Sequence, residues 1–225
     1  IYEMMKRSQL LSAGLILVYS TANRPAGDLF LGNKTHLKYL ILAMMMIITS
    51  PSYAYSFKPS EAEWAAWPGY CKAKYIWTNI GKNSKFVNRV SAADKTELEQ
   101  WEQAGVRGAH HFCTGSTWLQ RARLQSDPRR RSYELRQAIS ETLFSVQGTD
   151  PQSYRFPDLV IQLASIMYEQ GELDAALKLL QDNLRNHSKD EALYSAIAII
   201  HWKRGAMEEA KAILLRGDEA LDSDS

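Results

Sequence analysis

The 225-residue chain holds one short stretch whose residue types could do chemistry, GAHHFCTGSTWLQRARLQ, in which His110, His111 and Cys113 fall within four residues. Cys71 is the only other cysteine, and imidazole and thiolate together are the donors of tetrahedral zinc sites. The spacing opposes that chemistry. Neighbouring positions on a helix point about 100° apart, so adjacent histidines rarely reach one ion, and helical metal sites favour i and i+4 instead. No CxxC pair, CxxCH, HExxH, GxSxG or phosphate-cradling glycine loop occurs anywhere in the chain. The residues therefore specify no catalytic group and no cofactor. A metal- or small-ligand-binding role for His110, His111 and Cys113 stands as the alternative to the reading developed below.

What else Cys71 and Cys113 can do depends on the compartment. LKYLILAMMMIITSPSYA, residues 37 to 54, reads as a signal peptide: Lys38, an apolar run from Tyr39 to Ile48, the helix-breaking Ser50-Pro51, and small residues Ser52 and Ala54 at signal-peptidase spacing. The apolar run falls short of the roughly 20 residues that span a bilayer. Cleavage after Ala54 is expected, against the alternative of an uncleaved anchor. Upstream, Met5-Lys6-Arg7 and the apolar stretch Leu10 to Tyr19 repeat the pattern, and the chain starts with Ile1. Residues 1 to 36 are accordingly expected to be upstream or mis-assigned translation. In an oxidising compartment two cysteines favour a disulfide. Closing a loop of about 40 residues, it would contribute roughly 2 to 4 kcal/mol.

Composition narrows the partners. Net charge is +2 with 23% charged residues, but residues 55 to 156 hold 15 basic and 10 acidic side chains, and residues 157 to 225 hold 7 and 13. Apart from Arg129 to Arg131 the basic residues are scattered, so no nucleic-acid surface is expected and the triplet reads as a solvated helix start. Any membrane contact is expected only through the export signal.

The elements that would position a site follow from pattern. Residues 55 to 104 carry Trp64, Trp67, Tyr70, Tyr75 and Trp77 among prolines and glycines and read as an aromatic-rich cap sealing the end of a helical stack, with an aromatic ligand site as the other reading. Within them SAADKTELEQWEQAG is expected to be a helix, capped by Ser91 or Asp94 and stopped by Gly105. Residues 105 to 156 read as a degenerate helical hairpin, with apolar positions at Leu135, Ala138, Ile139, Leu143 and Phe144.

Beyond them the chain repeats. GELDAALKLL, Gly171 to Leu180, returns 34 residues later as GAMEEAKAIL, Gly205 to Leu214. Leu159 recurs as Leu193, Ala164 as Ala198, Ile166 as Ile200, Ala176 as Ala210 and Leu180 as Leu214. Two amphipathic helices in a 34-residue period resemble the tetratricopeptide repeat, with residues 157 to 190 as one repeat and 191 to 225 as the next plus an acidic tail, GDEALDSDS. Leu163 and Ile197 take the large apolar place, Ala164 and Ala198 the small one after it, and Gly171 and Gly205 the turn. Val160, Met167 and His201 stand where that family usually has aromatics, and Ser188 replaces its proline.

The resemblance implies an all-α fold of helical hairpins stacked in a short right-handed superhelix. Two repeats are too few to bury their own faces, so the hairpin of residues 105 to 156 is expected to supply a third layer. It also implies a concave groove lined by the first helix of each hairpin, at Asp158, Gln162, Ser165, Glu169, Ser195, Ile199 and Trp202. Ile199 and Trp202 are equally readable as core. The implied function is a non-catalytic adaptor or scaffold, periplasmic or secreted in a bacterium, that binds a protein or peptide without a cofactor.

Overall fold

The computed structural model describes residues 57 to 222, and the expected export signal at 37 to 54 and the residues before it lie outside them. Among the described residues there are nine α-helices and no strand. The chain is all-α, as the pattern of amphipathic runs requires.

The N-terminal part is built from short helices and aromatic rings. α1 (Glu61–Ala66) is held by a capping box in which Ser60 and Glu63 satisfy each other's backbone N–H groups. α2 (Gly69–Tyr75) follows after Pro68, then two 3-10 turns lead to α3 (Ala92–Gln103). Ser91 caps α3 in a second capping box with Asp94. Trp64 stacks on Phe86 at 4.4 Å and Tyr70 on Trp101 at 3.9 Å, so these rings form the interior and not a ligand face. Of the five aromatics singled out in the sequence, Trp77 alone is exposed. Trp67 buries its indole because Nε1–H finds Thr117 Oγ1 at 2.8 Å.

Cys71 on α2 is bonded to Cys113 on α4 (Ala109–Leu124), with Cα atoms 5.7 Å apart and 42 positions between them in sequence. The bond ties the aromatic cap to the first long hairpin. That hairpin is α4 and α5 (Pro128–Gly148), and Asp127 caps α5 by accepting from the N–H groups of Arg129 and Arg130 at 2.8 and 3.2 Å. Asp127 and Pro128 thus explain the helix start that the arginine triplet marks.

Four more helices follow: α6 (Phe156–Glu169), α7 (Leu173–Leu184), α8 (Glu191–Lys203) and α9 (Met207–Asp222). α6 packs on α7 and α8 on α9, and successive pairs meet through α5 against α6 and α7 against α8. The 34-residue register is visible atom by atom at the turns. Gly171 and Gly205 both have left-handed backbones, φ 85° and 76°, which a Cβ disfavours. Each donates to the carbonyl three residues back, Tyr168 or Trp202, at 2.9 Å. The next residue closes the six-residue bond, Glu172 to Met167 at 2.9 Å and Ala206 to His201 at 3.0 Å, the Schellman termination of a helix. Ala164, Ala198, Ala176 and Ala210 are all buried, as close helix approach demands.

Two close approaches fix the seams. A Cβ on Gly115, in the middle of α4, would collide with Thr142 Oγ1 and press on Ala138 O, so α4 and α5 touch backbone to side chain there. On Gly217 it would lie 2.9 Å from the Tyr194 ring. The acidic segment from Gly217 is helix through Asp222, and Gly217 lets α9 lie against Tyr194 of α8.

Candidate functional site

A cavity of about 110 Å³ lies where α6, α7 and α8 meet the end of α4. Its floor is Ile161 and Ala164 from α6, Leu180 from α7, and Ile199 and Ile200 from α8. Arg123, from the last turn of α4, and Lys203, from the last turn of α8, stand at its rim. The Lys203 ammonium lies 4.7 Å from the centre of the Tyr168 ring, a cation–π contact.

Glu169 sets the electrostatics of that rim. It ends α6, where a negative side chain opposes the helix dipole, and two arginines offset it: Arg123 Nε at 3.1 Å and Arg131 at 2.6 Å. With Lys203 added, the rim carries an excess of positive charge. The arrangement can hold an apolar side chain in a dry slot and present cations to acidic groups beside it. The Ser165 hydroxyl in its lining donates to Ile161 O at 2.8 Å.

The seven groove positions expected from sequence divide by what they touch. Ser165 and Ile199 line the cavity, and Glu169 is paired with Arg123, which lines it too. Ile199 is 49% and Trp202 58% exposed, so neither is core. Ser195 is half-buried on α8. Gln162 is a correction: its side-chain amide donates to Phe112 O at 2.9 Å and Thr142 Oγ1 at 2.8 Å, tying α6 to α4 and α5. It belongs to the seam and is not free for a partner. Asp158 lies at the opposite end of α6, outside the cavity's lining, and is paired with Arg155 at 3.2 Å. Burial pushes its carboxyl above the usual range, with Arg155 opposing and Asp190 adding to the shift. Arg123 and Lys203 went unnoticed in the sequence. Extending the first-helix rule to α4 points to Arg123, and the i, i+4 step from Ile199 points to Lys203.

The histidine–cysteine stretch resolves differently. Cys113 is half of the disulfide, which withdraws its sulfur from any ligand set. His111 Nδ1 meets Glu141 at 2.5 Å. Burial, then the neighbouring His111 and Lys74, lower the His110 pKa to about 4, so it is neutral near pH 7. Among the described residues no group of three or more His, Cys, Asp or Glu side chains is placed to hold a metal ion.

A wider depression of about 390 Å³ opens beside Trp118, Tyr133 and Arg121. Its cation is already engaged: Arg121 lies 4.6 Å over Trp118 and grips Glu63 through two bonds of 2.6 and 2.8 Å. Burial works against ionisation of Glu63, but Arg121 and the Ser60 N–H outweigh it and hold the carboxyl below its ordinary pKa.

No family model matches the chain. It is 24% identical over 159 residues to the nitrogenase molybdenum-iron protein beta chain of a Nostoc species, a match covering 65% of this chain and 31% of that one. The chain thus spans about a third of the length of the curated relative it matches. At that identity the match assigns neither family nor activity, and the metals in that name belong to that protein.

Proposed function

We propose that this chain is an exported, non-catalytic binding protein of tetratricopeptide type, an adaptor in a bacterial envelope whose stacked hairpins hold a protein or peptide segment on the face of α6 and α8. The observation that carries the reading is the slot at Ile161, Ala164, Ile199 and Ile200, apolar inside and rimmed by Arg123 and Lys203. An apolar side chain of the partner fills the slot, an acidic group beside it meets Lys203, Arg123 being paired with Glu169, and Trp202 on the same helix supplies an exposed aromatic surface. The repeated turns at Gly171 and Gly205 support a superhelical stack, whose right-handed sense is the family's. The Cys71–Cys113 bond supports an oxidising compartment, periplasmic or secreted. No helix among the described residues is long and apolar enough to cross a membrane.

A photo-crosslinking side chain placed at Ile199 tests the reading in cells of the source organism, with the exposed convex position Lys178 as its control. The expected result is a discrete protein adduct from Ile199, weakened severalfold by Lys203→Glu and not formed from Lys178. The same adducts from both positions, or none from Ile199, overturn the groove.

A further inference from the structure

One helical stripe of α7 carries Leu173, Leu177, Leu180 and Leu184; the last three are buried in a helix that packs against α8, and Leu180 lines a cavity together with Ile199 and Ile200 of α8. Thirty-four residues on, α9 presents Met207, Lys211, Leu214 and Asp218, and the same stripe continues to Leu221. Leu180 is 0% exposed and Leu214 is 47% exposed. Met207, Lys211, Asp218 and Leu221 are exposed as well.

This stripe is neither the all-leucine face that a further hairpin covers nor the polar face that ends a stack in water. Its apolar residues stand seven apart, at 207, 214 and 221, and its two charges are opposite in sign and lie on either side of Leu214. A surface that meets a copy of itself must be complementary to itself under a two-fold rotation. An antiparallel pairing about an axis near Leu214 satisfies that condition. Met207 then lies beside Leu221 of the second copy, Leu214 beside its own counterpart, and Lys211 within reach of Asp218, each contact made twice. A parallel pairing fails, because it sets Lys211 against Lys211 and Asp218 against Asp218.

We infer that the outer stripe of α9 is a homodimer interface, occupied by the α9 of a second copy running antiparallel. The groove of α6 and α8 is not involved, so the two surfaces stand or fall separately. A single pair of 16-residue helices is smaller than a standard interface of about 1,600 Å², and a dissociation constant on the order of 10 µM is expected.

Sedimentation velocity of the protein as isolated, over a hundredfold concentration range around about 10 µM, reads the assembly directly. A concentration-dependent dimer is expected, weakened at least about tenfold by Lys211→Glu or by Asp218→Lys alone, because each sets two like charges face to face. The double variant Lys211→Glu/Asp218→Lys restores the pair with its signs exchanged and should return to within about threefold of the original. Both positions are exposed, so melting curves should be unchanged, and Leu214→Lys provides a second disruption independent of the charge pair. A monomer at every concentration overturns the inference, whether the stripe is bare or covered by another part of the chain. So does a dimer indifferent to the single exchanges, or one that the double exchange fails to restore.

Discussion

Two regions of the described residues solve the problem of a small core by opposite means. Residues 57 to 104 use large, unlike side chains: Trp64 on Phe86, Tyr70 on Trp101, Trp67 against Tyr75, each ring fitted to its own neighbour. Residues 156 to 222 use small side chains in a fixed register, with Ala164, Ala176, Ala198 and Ala210 letting helices close on one another. The aromatic cap is irregular and needs a covalent tie to α4; the hairpins are regular and need only a neighbour. Interlocking large rings gives one solution that nothing else in the chain can extend, whereas a repeated small-residue contact can be added to.

The comparison can be broken first at the staple. Replacing both Cys71 and Cys113 with serine is expected to cost roughly 2 to 4 kcal/mol. The loss should register as a lower Tm and as an early fading of near-ultraviolet aromatic dichroism, which reports the cap. Reductant should do the same to the original protein and nothing to the variant. Equal and simultaneous loss of the far-ultraviolet helical signal would show instead that cap and hairpins melt as one unit.

A smaller effect probes the other half. Ala176 is fully buried where α7 meets its neighbours, so Ala176→Leu forces overpacking and should cost roughly 1 to 3 kcal/mol. Lys178, two positions on and exposed with an ion pair to Asp182 at 2.9 Å, should accept leucine within about 0.5 kcal/mol. Thermal melts of the two variants that coincide would remove the 34-residue register from the account.

Much of the hairpin half was legible in advance, for a reason these variants make concrete. Gly171 and Gly205 mark the turns, and helices of 12 to 16 residues are long enough for a 3.6-residue period to show. α1 and α2 were not legible as helices. At 6 and 7 residues they complete barely two turns, although the Ser60–Glu63 capping pair was present to be read. The lining of the α6–α8 cavity was legible in part. Position along α6 pointed to Ser165, which lines it, but Gln162 sits a small rotation away, where the same helix faces α4 and α5, and sequence does not separate two faces so close together. Arg123 escaped because it reaches the rim from a different hairpin.

The smallest expected effect depends on pH and belongs to the junction between the two halves. The folded pKa of His110 is about 4, depressed by burial from the ordinary 6.5. Its contribution is therefore fully present above pH 6.5 and is lost as pH falls through 4, because the unfolded chain takes the proton first. Between those limits the protein should lose on the order of 1 kcal/mol through this group, and His110→Gln should flatten the slope in denaturant titrations at stepped pH. An unchanged slope would place the acid sensitivity elsewhere.

The position of the disulfide in the chain also bears on the order in which the molecule can assemble as it emerges. Cys71 and Cys113 both precede α5, and so do both partners of the Trp67–Thr117 bond and of the Trp101–Phe112 contact. A chain delivered N-terminus first can therefore make the disulfide and both of these contacts once Leu124 is out, while Ser153, which donates to Ala104 O, and Arg155, which lies over Trp101, arrive only after α5. Each later hairpin then lands on a surface already made, and the leucines of α7 wait for cover only as long as it takes α8 to follow.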